Sequence, residues 1–517
     1  MEPEERYVEP YIRPLLDRPS STYRHTYLPG AHPKSYFKSY ETIFNDPSLL
    51  AHQTKLAAGD PKLRQLNPSL LLIGNLERAY AHSGRTELAA LALHQLPYAA
   101  LSNDLFHRFG LVRMLWWVPS RFTNLVFPRG PWIRNAWSAG VEVGVEPRLV
   151  AGDKSVNDYH DESPMNRRRT SAFAAVNDEQ VAQRMRAAGM SAPKGRALLT
   201  YKEDAPGSEK IHKSPFEDKL RTPAEFEPKI QEIRNRLREV TAIKIKITRR
   251  AEALFETMEY PQCVSACARY NEKRRMSQAR GPLCLDISLR IVNLEANYKD
   301  LEDAGTDQKT LEKLKAEILQ LDEHFFETAW STSTWLEQAI RVLTEDQVAF
   351  YMTPQHSALD RRPFEPLKLS GDDFFPPGSN LALLDLLPKS RDLSVPGLAA
   401  NKEAARVCEK MLAQILSTRT RPVCEALDIF AINAGKDLPP MVPALYDVRK
   451  GGRLNLQRLT ARMLTEDMIE GLVKAFFEWP FRPHTWELTA DSGLRGAETG
   501  AEGEDESEDR EESAAQS

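Results

Sequence analysis

The run SLLLIGNL, Ser69 to Leu76, is a short apolar stretch closed by Gly-Asn, and the reading of the whole chain turns on it. A few continuous apolar residues bounded by a turn signal are the pattern of a strand buried on both faces, as in parallel sheets. Such a strand presents polar residues at its carboxyl tip, where open α/β sheets place ligands. Working outward, Glu87 to Leu105 reads as a helix with Leu88, Leu91, Leu96 and Leu101 among its apolar positions, kinked or divided at Pro97. Leu111 to Val118 (LVRMLWWV) is a second strand, and Asn380 to Leu387 (NLALLDLL) a third. Strands alternating with helices predict an α/β fold.

At 517 residues and 41% hydrophobic content, the chain can bury a sizeable core. Its formal charge of −4 hides an acidic end and several basic internal stretches. Cys263, Cys267, Cys284, Cys408 and Cys424 form no C-x2-C pair, which suits a reducing compartment and ordinary buried thiols rather than a metal site. No window of about 18 apolar residues predicts a membrane-spanning helix. The opening MEPEERYVEPY has neither an apolar signal core nor an Arg/Ser-rich amphipathic segment.

Composition divides the rest. Residues 151–223 are polar and predict a disordered insertion. Residues 224–364 predict a helical insertion, with Ile230, Ile233, Leu237, Val240, Ile243, Ile247, Ala251 and Leu254 at helical steps. Leu311, Leu314, Ile318, Leu321 and Phe325 repeat the habit, and Pro261 and Gly281-Pro282 read as breaks. Residues 399–489 predict a helical domain with helices at Glu403 to Leu416, Arg421 to Ile432 and Thr465 to Phe477. Residues 490–517 predict a disordered acidic tail.

Residues 105–141 hold no acid, yet Arg113, Arg121, Arg129 and Arg134 lie there among Trp116, Trp117, Phe122, Trp132 and Trp137. Arginine interleaved with aromatics is the chemistry of single-strand binding, where guanidinium groups meet phosphates and rings stack on bases. A core strand accounts equally for the Trp pair. A second basic stretch, residues 227–280, carries 13 Lys or Arg against 7 acids, either a nucleic-acid or polymerase contact or a solvated helix face. In RKGGRLN, Lys450, Arg453 and Asn455, with Arg458 and Arg462 beyond, form a third basic site in which glycines would let a phosphate approach; a helix-joining turn explains them too. Hydrolase and nucleotide-binding patterns such as G-x-S-x-G, H-E-x-x-H and the P-loop do not occur, and His94 reads as a packing residue.

LLLIGNL at Leu70 to Leu76, then LALHQL and LFHRFGLVRMLWWVPSR, resembles the fungal mitochondrial transcription factor branch of the rRNA adenine N6-dimethyltransferase family. DDFFPPGSNLALLDLLP at Asp372 to Pro388 and the segments from RKGGRLN to WPFRP, Arg449 to Pro483, echo the same branch. The resemblance implies a partial class I, Rossmann-like S-adenosylmethionine methyltransferase fold: a truncated α/β domain in 1–150, a return strand in 365–398 and the C-terminal helical domain. It aligns MEPEERYVEPYIRPLL with the segment that starts at the family's second strand tip, which makes Glu2 the acid on the cofactor ribose. The Gly-rich cofactor turn has no counterpart in residues 1–80. In the family an Asn-Leu-Pro-aromatic motif holds the flipped adenine. Here Asn75 and Leu76 match as a degenerate catalytic motif, while Glu77 and Arg78 replace the proline and the ring.

The resemblance therefore implies a mitochondrial transcription initiation factor that binds promoter DNA and the mitochondrial RNA polymerase. Two alternatives are an active rRNA adenine N6-dimethyltransferase using S-adenosylmethionine and a structural part of the mitochondrial gene-expression machinery. The mitochondrial matrix as location also follows from the resemblance alone.

Overall fold

The computed structural model describes residues 8–19, 40, 43–46, 49–77, 88–128, 130–153, 171–199, 260–330, 334–374, 380–391, 393 and 401–484. Its centre is a five-stranded mixed sheet of β1 (Leu66–Asn75), β2 (Leu111–Pro119), β3 (Val145–Gly152), β4 (Leu367–Lys368) and β5 (Leu381–Pro388), ordered β1-β2-β5-β3-β4. β1 runs parallel to β2, with Asn75 opposite Trp117. β5 comes back from far along the chain and inserts antiparallel to both β2 and β3.

Alternation along β2 sends Val112, Met114, Trp116 and Val118 to one face, where they are buried with Ala382, Leu384 and Leu386 of β5. Helices α1 (Leu88–Ser102) and α2 (Ala136–Gly144) contribute Leu93, Leu96 and Val141 to this core. Pro97 does not divide α1. The sequence left α2 and β3 unmarked; α2 starts at Asn135, whose side chain accepts from the backbone N–H groups of Trp137 and Ser138.

The expectation that β1 is buried on both faces is corrected. It is the first strand in the sheet order, and Leu71 and Ile73 are 47% and 64% exposed on the face away from α1. Gly74 also serves a different end from the turn its sequence suggests. It lies inside the strand, and a Cβ there would stand 2.0 Å from the Trp116 ring, so the missing side chain makes room for that ring.

The expected disordered insertion is corrected where it is described: β3 reaches Gly152, and Ser171–Ala187 is a helix (α3) with Val181 and Asn177 buried. Residues 154–170 and 200–223 lie outside the described residues, as do Ile230 to Leu254 and the acidic tail. The breaks expected in the helical insertion are corrected too. α4 (Tyr260–Asp303) is one 44-residue helix that has Pro261 in its first turn and passes through Gly281 and Pro282. α5 (Gln308–Trp330) folds back on it through Gly305 at φ +73°, and α6 (Thr334–Tyr351) follows. Cys284, Leu285, Ile291, Ile318, Phe325 and Ile340 fill the space between these helices.

The C-terminal helices fall close to their predicted places as α7 (Asn401–Ser417), α8 (Val423–Phe430) and α9 (Glu466–Glu478). Their core, around Leu412, Leu427, Leu472 and Phe476, continues into Ala139 of α2, Val292 of α4 and Val348 of α6. Cys408 is buried there, and burial pushes its thiol up to about 12. Among the described residues no helix is long and apolar enough to cross a membrane.

One buried titratable group stands where the chain enters β2. His107 is 1% exposed, and its Nδ1 accepts the Val112 backbone N–H at 3.1 Å. Burial lowers its pKa from 6.5 to about 3. The unfolded chain binds a proton below about 6.5 while the folded one does not, so this stability is full above 6.5 and is lost as pH falls toward 3. Between about pH 7 and pH 5 the linkage is worth about 2 kcal/mol. Urea unfolding of His107→Gln should start from a lower midpoint at neutral pH and fall less on acidification than the parent; equal slopes would refute the assignment.

Candidate functional site

The carboxyl edge of the parallel strands is where the sequence places function, and it is built from the ends of β1 and β2. Leu76 is buried and donates its backbone N–H to the Trp117 carbonyl at 2.8 Å, which fixes the tip of β1 against β2. Asn75 beside it is exposed, but its Oδ1 accepts the Glu77 backbone N–H at 2.9 Å, so the side chain closes a local turn. That bond takes one of the two lone pairs of the oxygen and fixes the direction of the side chain.

From the end of β2, Ser120 donates its N–H to Asn380 at 2.9 Å and Thr123 Oγ1 donates to the Ser120 carbonyl at 2.6 Å. This short helical turn holds Arg121 exposed, its guanidinium 4.9 Å from the Phe122 ring centroid. Trp117 is half-buried on the open sheet face, with Phe374 edge-on at 5.6 Å. Trp117 and Arg121 are thus reachable from solvent near one end of β2.

Other expected nucleic-acid residues are drawn inward. Arg113 makes a bidentate pair with Asp385, both bonds 2.8 Å, and keeps a half-exposed side chain; the hydrogen bonds to that carboxylate raise its pKa. Arg134 is corrected from a surface contact to a core residue: it is fully buried, donates through Nε to Glu142 at 2.9 Å and through Nη1 to the Arg462 carbonyl at 3.2 Å. Trp132 is likewise buried, at 7% exposure. Arg129 and Glu2 lie outside the described residues. The acids that neutralise this acid-free window sit just beyond it, at Glu142, and 272 residues from Arg113, at Asp385.

The basic GGRLN site is corrected in the same way. Arg453 pairs with Glu295 at 3.0 Å, Arg458 with Asp322, and Arg462 with Glu345 at 2.6 Å, every side chain less than 10% exposed. Asn455 Nδ2 donates to Asp322 at 2.9 Å. Lys450 is half-exposed and pairs with Asp467 at 3.1 Å. These groups bind α4, α5, α6 and the start of α9, which leaves the three arginines no approach for phosphate. Gly452 has a packing reason, since a Cβ there would meet the Leu445 carbonyl oxygen at 2.6 Å.

A feature without a sequence signal is a cavity of about 290 Å³ at the opposite edge of the sheet, where Lys389 and Arg391 follow β5. Glu466, the first residue of α9, accepts there from Lys389 at 2.7 Å, Arg361 at 3.1 Å and Arg391. Burial pushes the Glu466 carboxyl up, but Lys389 and Arg361 outweigh it and hold the pKa below its usual value. His94, expected to pack, stacks on Trp137 at 5.0 Å and reaches Glu409 at 3.2 Å.

Among the described residues no group of His, Cys, Asp and Glu could hold a metal ion. Among the described residues the carboxyl edge offers S-adenosylmethionine no open glycine turn: Gly74, the glycine nearest the tip of β1, is covered by the Trp116 ring. No family model, curated protein or solved structure matches the chain.

The Arg462–Glu345 pair offers a direct test of the inward reading, because Thr460 Oγ1 also donates to Glu345 at 2.6 Å. Arg462→Leu leaves a buried carboxylate unpaired and should cost about 3–5 kcal/mol in chemical denaturation. Adding Glu345→Leu should restore most of the loss. A single substitution that leaves the midpoint in place would show that Arg462 is solvated.

Proposed function

We propose that the chain is a mitochondrial transcription initiation factor, a methyltransferase-derived scaffold that binds promoter DNA and the mitochondrial RNA polymerase without transferring a methyl group. The observation that carries this reading is the tip of β1. Asn75 and Leu76 stand at the carboxyl edge of the sheet, where the resembled family keeps its adenine-binding motif, but the Asn75 oxygen is bound to Glu77 N–H. This supports a strand tip that keeps the position of the motif while Asn75 is turned toward its own chain. The antiparallel return of β5 between β2 and β3 supports the same descent, since the resemblance calls for a return strand in 365–398.

Nucleic acid would meet the protein near the end of β2. Trp117 offers a ring to a base, and Arg121 offers a guanidinium to a phosphate. Arg113 has its charge directed to Asp385 and contributes less.

A single-stranded oligonucleotide titrated at two salt concentrations tests the surface. Trp117→Leu should lose about 1–3 kcal/mol of binding, and Arg121→Ala should weaken binding while lowering the salt slope by about one. Unchanged affinity in both variants would move nucleic acid elsewhere. Calorimetric titration of S-adenosylmethionine into the folded chain separates the rival: micromolar binding with methyl transfer to rRNA would replace this reading with the dimethyltransferase.

A further inference from the structure

We propose that the cavity beside the start of α9 binds a small zwitterion of the free amino acid class, its ammonium held in the depth and its carboxylate at the rim. The inference is independent of the function proposed above. The cavity, about 290 Å³, lies between the ends of β5 and α2, the segment that follows α6, and the first turn of α9. That volume is at the lower end of small-molecule sites.

Two residues of its wall carry buried acceptors without a partner. Glu142 is 2% exposed; its Oε2 takes Arg134 at 2.9 Å, and its Oε1 takes nothing. His356 is 5% exposed, and its Nε2 is also unpartnered. Burial, with Arg134 and Arg361 nearby, holds the imidazole neutral, and its hydrogen bond to the Met463 backbone assigns the ring proton to the other nitrogen. Nε2 is therefore a bare acceptor. An unmet buried acceptor costs about 1–3 kcal/mol, and an ammonium, with three donors, has the capacity to serve more than one.

The cations of the cavity are arranged differently. Lys389 spends its ammonium on the Glu142 carbonyl at 2.8 Å, Glu466 at 2.7 Å and Glu146 at 3.2 Å. Arg361 is directed to the Gln355 and His356 carbonyls and to Glu466, and Arg391 to Glu466, Asp467 and Glu470. Lys450 is 46% exposed and gives one of its three donors to Asp467 at 3.1 Å. Donor capacity thus remains at the rim, and acceptor capacity in the depth.

That polarity selects the ligand. A simple anion such as phosphate meets the carboxylates of Glu142, Glu146, Glu466 and Asp467 alongside the four cations, and its own negative charge is repelled where Glu142 is buried. A simple amine finds the acceptors but nothing for Lys450. An amino acid satisfies both ends, and Met352 and Pro354 supply an apolar wall for its side chain.

The test is calorimetry and thermal shift on the full chain with each proteinogenic L-amino acid. Butylamine, butyrate and inorganic phosphate serve as single-ended controls. At least one amino acid should bind at millimolar concentration or tighter, and the controls should not. Lys450→Ala, at the exposed rim, and His356→Phe, in the wall, should each weaken that binding at least about tenfold. The unfolding midpoint of Lys450→Ala should match the parent, so its loss reads as binding. If no amino acid binds, the acceptors are served by water and the proposal fails. It fails equally if phosphate or butylamine binds as well as the amino acid, or if Lys450→Ala binds it unchanged.

Discussion

Among the buried arginine–carboxylate pairs of the described residues, four organise this molecule: Arg134–Glu142, Arg453–Glu295, Arg458–Asp322 and Arg462–Glu345, all less than 10% exposed on both sides. Removing both charges of a pair from water costs several kcal/mol per ion, and only a well-formed partner returns it. Each pair therefore contributes little net stability but makes any arrangement that separates the partners expensive. Three of the four run from the segment before α9 to α4, α5 and α6, so the long helices have one favourable seating on the C-terminal core. Arg134 adds the sheet side, through its bond to the Arg462 carbonyl.

The strain of that burial shows in the titrating groups. Burial raises the Glu295 carboxyl even with Arg453 beside it, and burial lowers the Arg458 guanidinium even with Asp322 in contact. Apolar packing surrounds the seam, with the Arg458 guanidinium 4.1 Å from the Phe325 ring centroid. Charge, ring and helix are one unit, which explains why residues that look like a nucleic-acid site are an internal joint. The two proposed recognition sites lie outside this joint, around Trp117 and Arg121 at one end of the sheet and at the α9 cavity at the other.

Much of the architecture was legible in local pattern. Leu111 to Val118, Asn380 to Leu387 and Thr465 to Phe477 each lie within a residue of the observed element, because period and run length are properties of the backbone and its immediate side chains. Pro261 and Gly281-Pro282 misled as helix breaks. A proline in the first turn needs no N–H, and the mid-helix Gly-Pro is followed closely by Cys284 and Leu285, which are buried in the core shared with α5. Val145–Gly152 escaped notice because charged and apolar residues alternate there beneath a proline, a weak signal until β5 pairs with it.

The sequence by itself determined β1, β2, β5, α1, the C-terminal helices and the carboxyl tip at Asn75, since each depends on neighbours a few residues apart. Only the tertiary structure decided which arginines face solvent. A guanidinium is neutralised by whichever carboxylate the fold brings within about 3 Å, and electrostatic attraction at that range has no regard for separation along the chain. The window 105–141 contains no acid, yet Glu142 and Asp385 pair with its Arg134 and Arg113. The cavity beside α9 was beyond local reading for the same reason, because its walls come from α2, β3, the segments after α6 and β5, Lys450 and the start of α9.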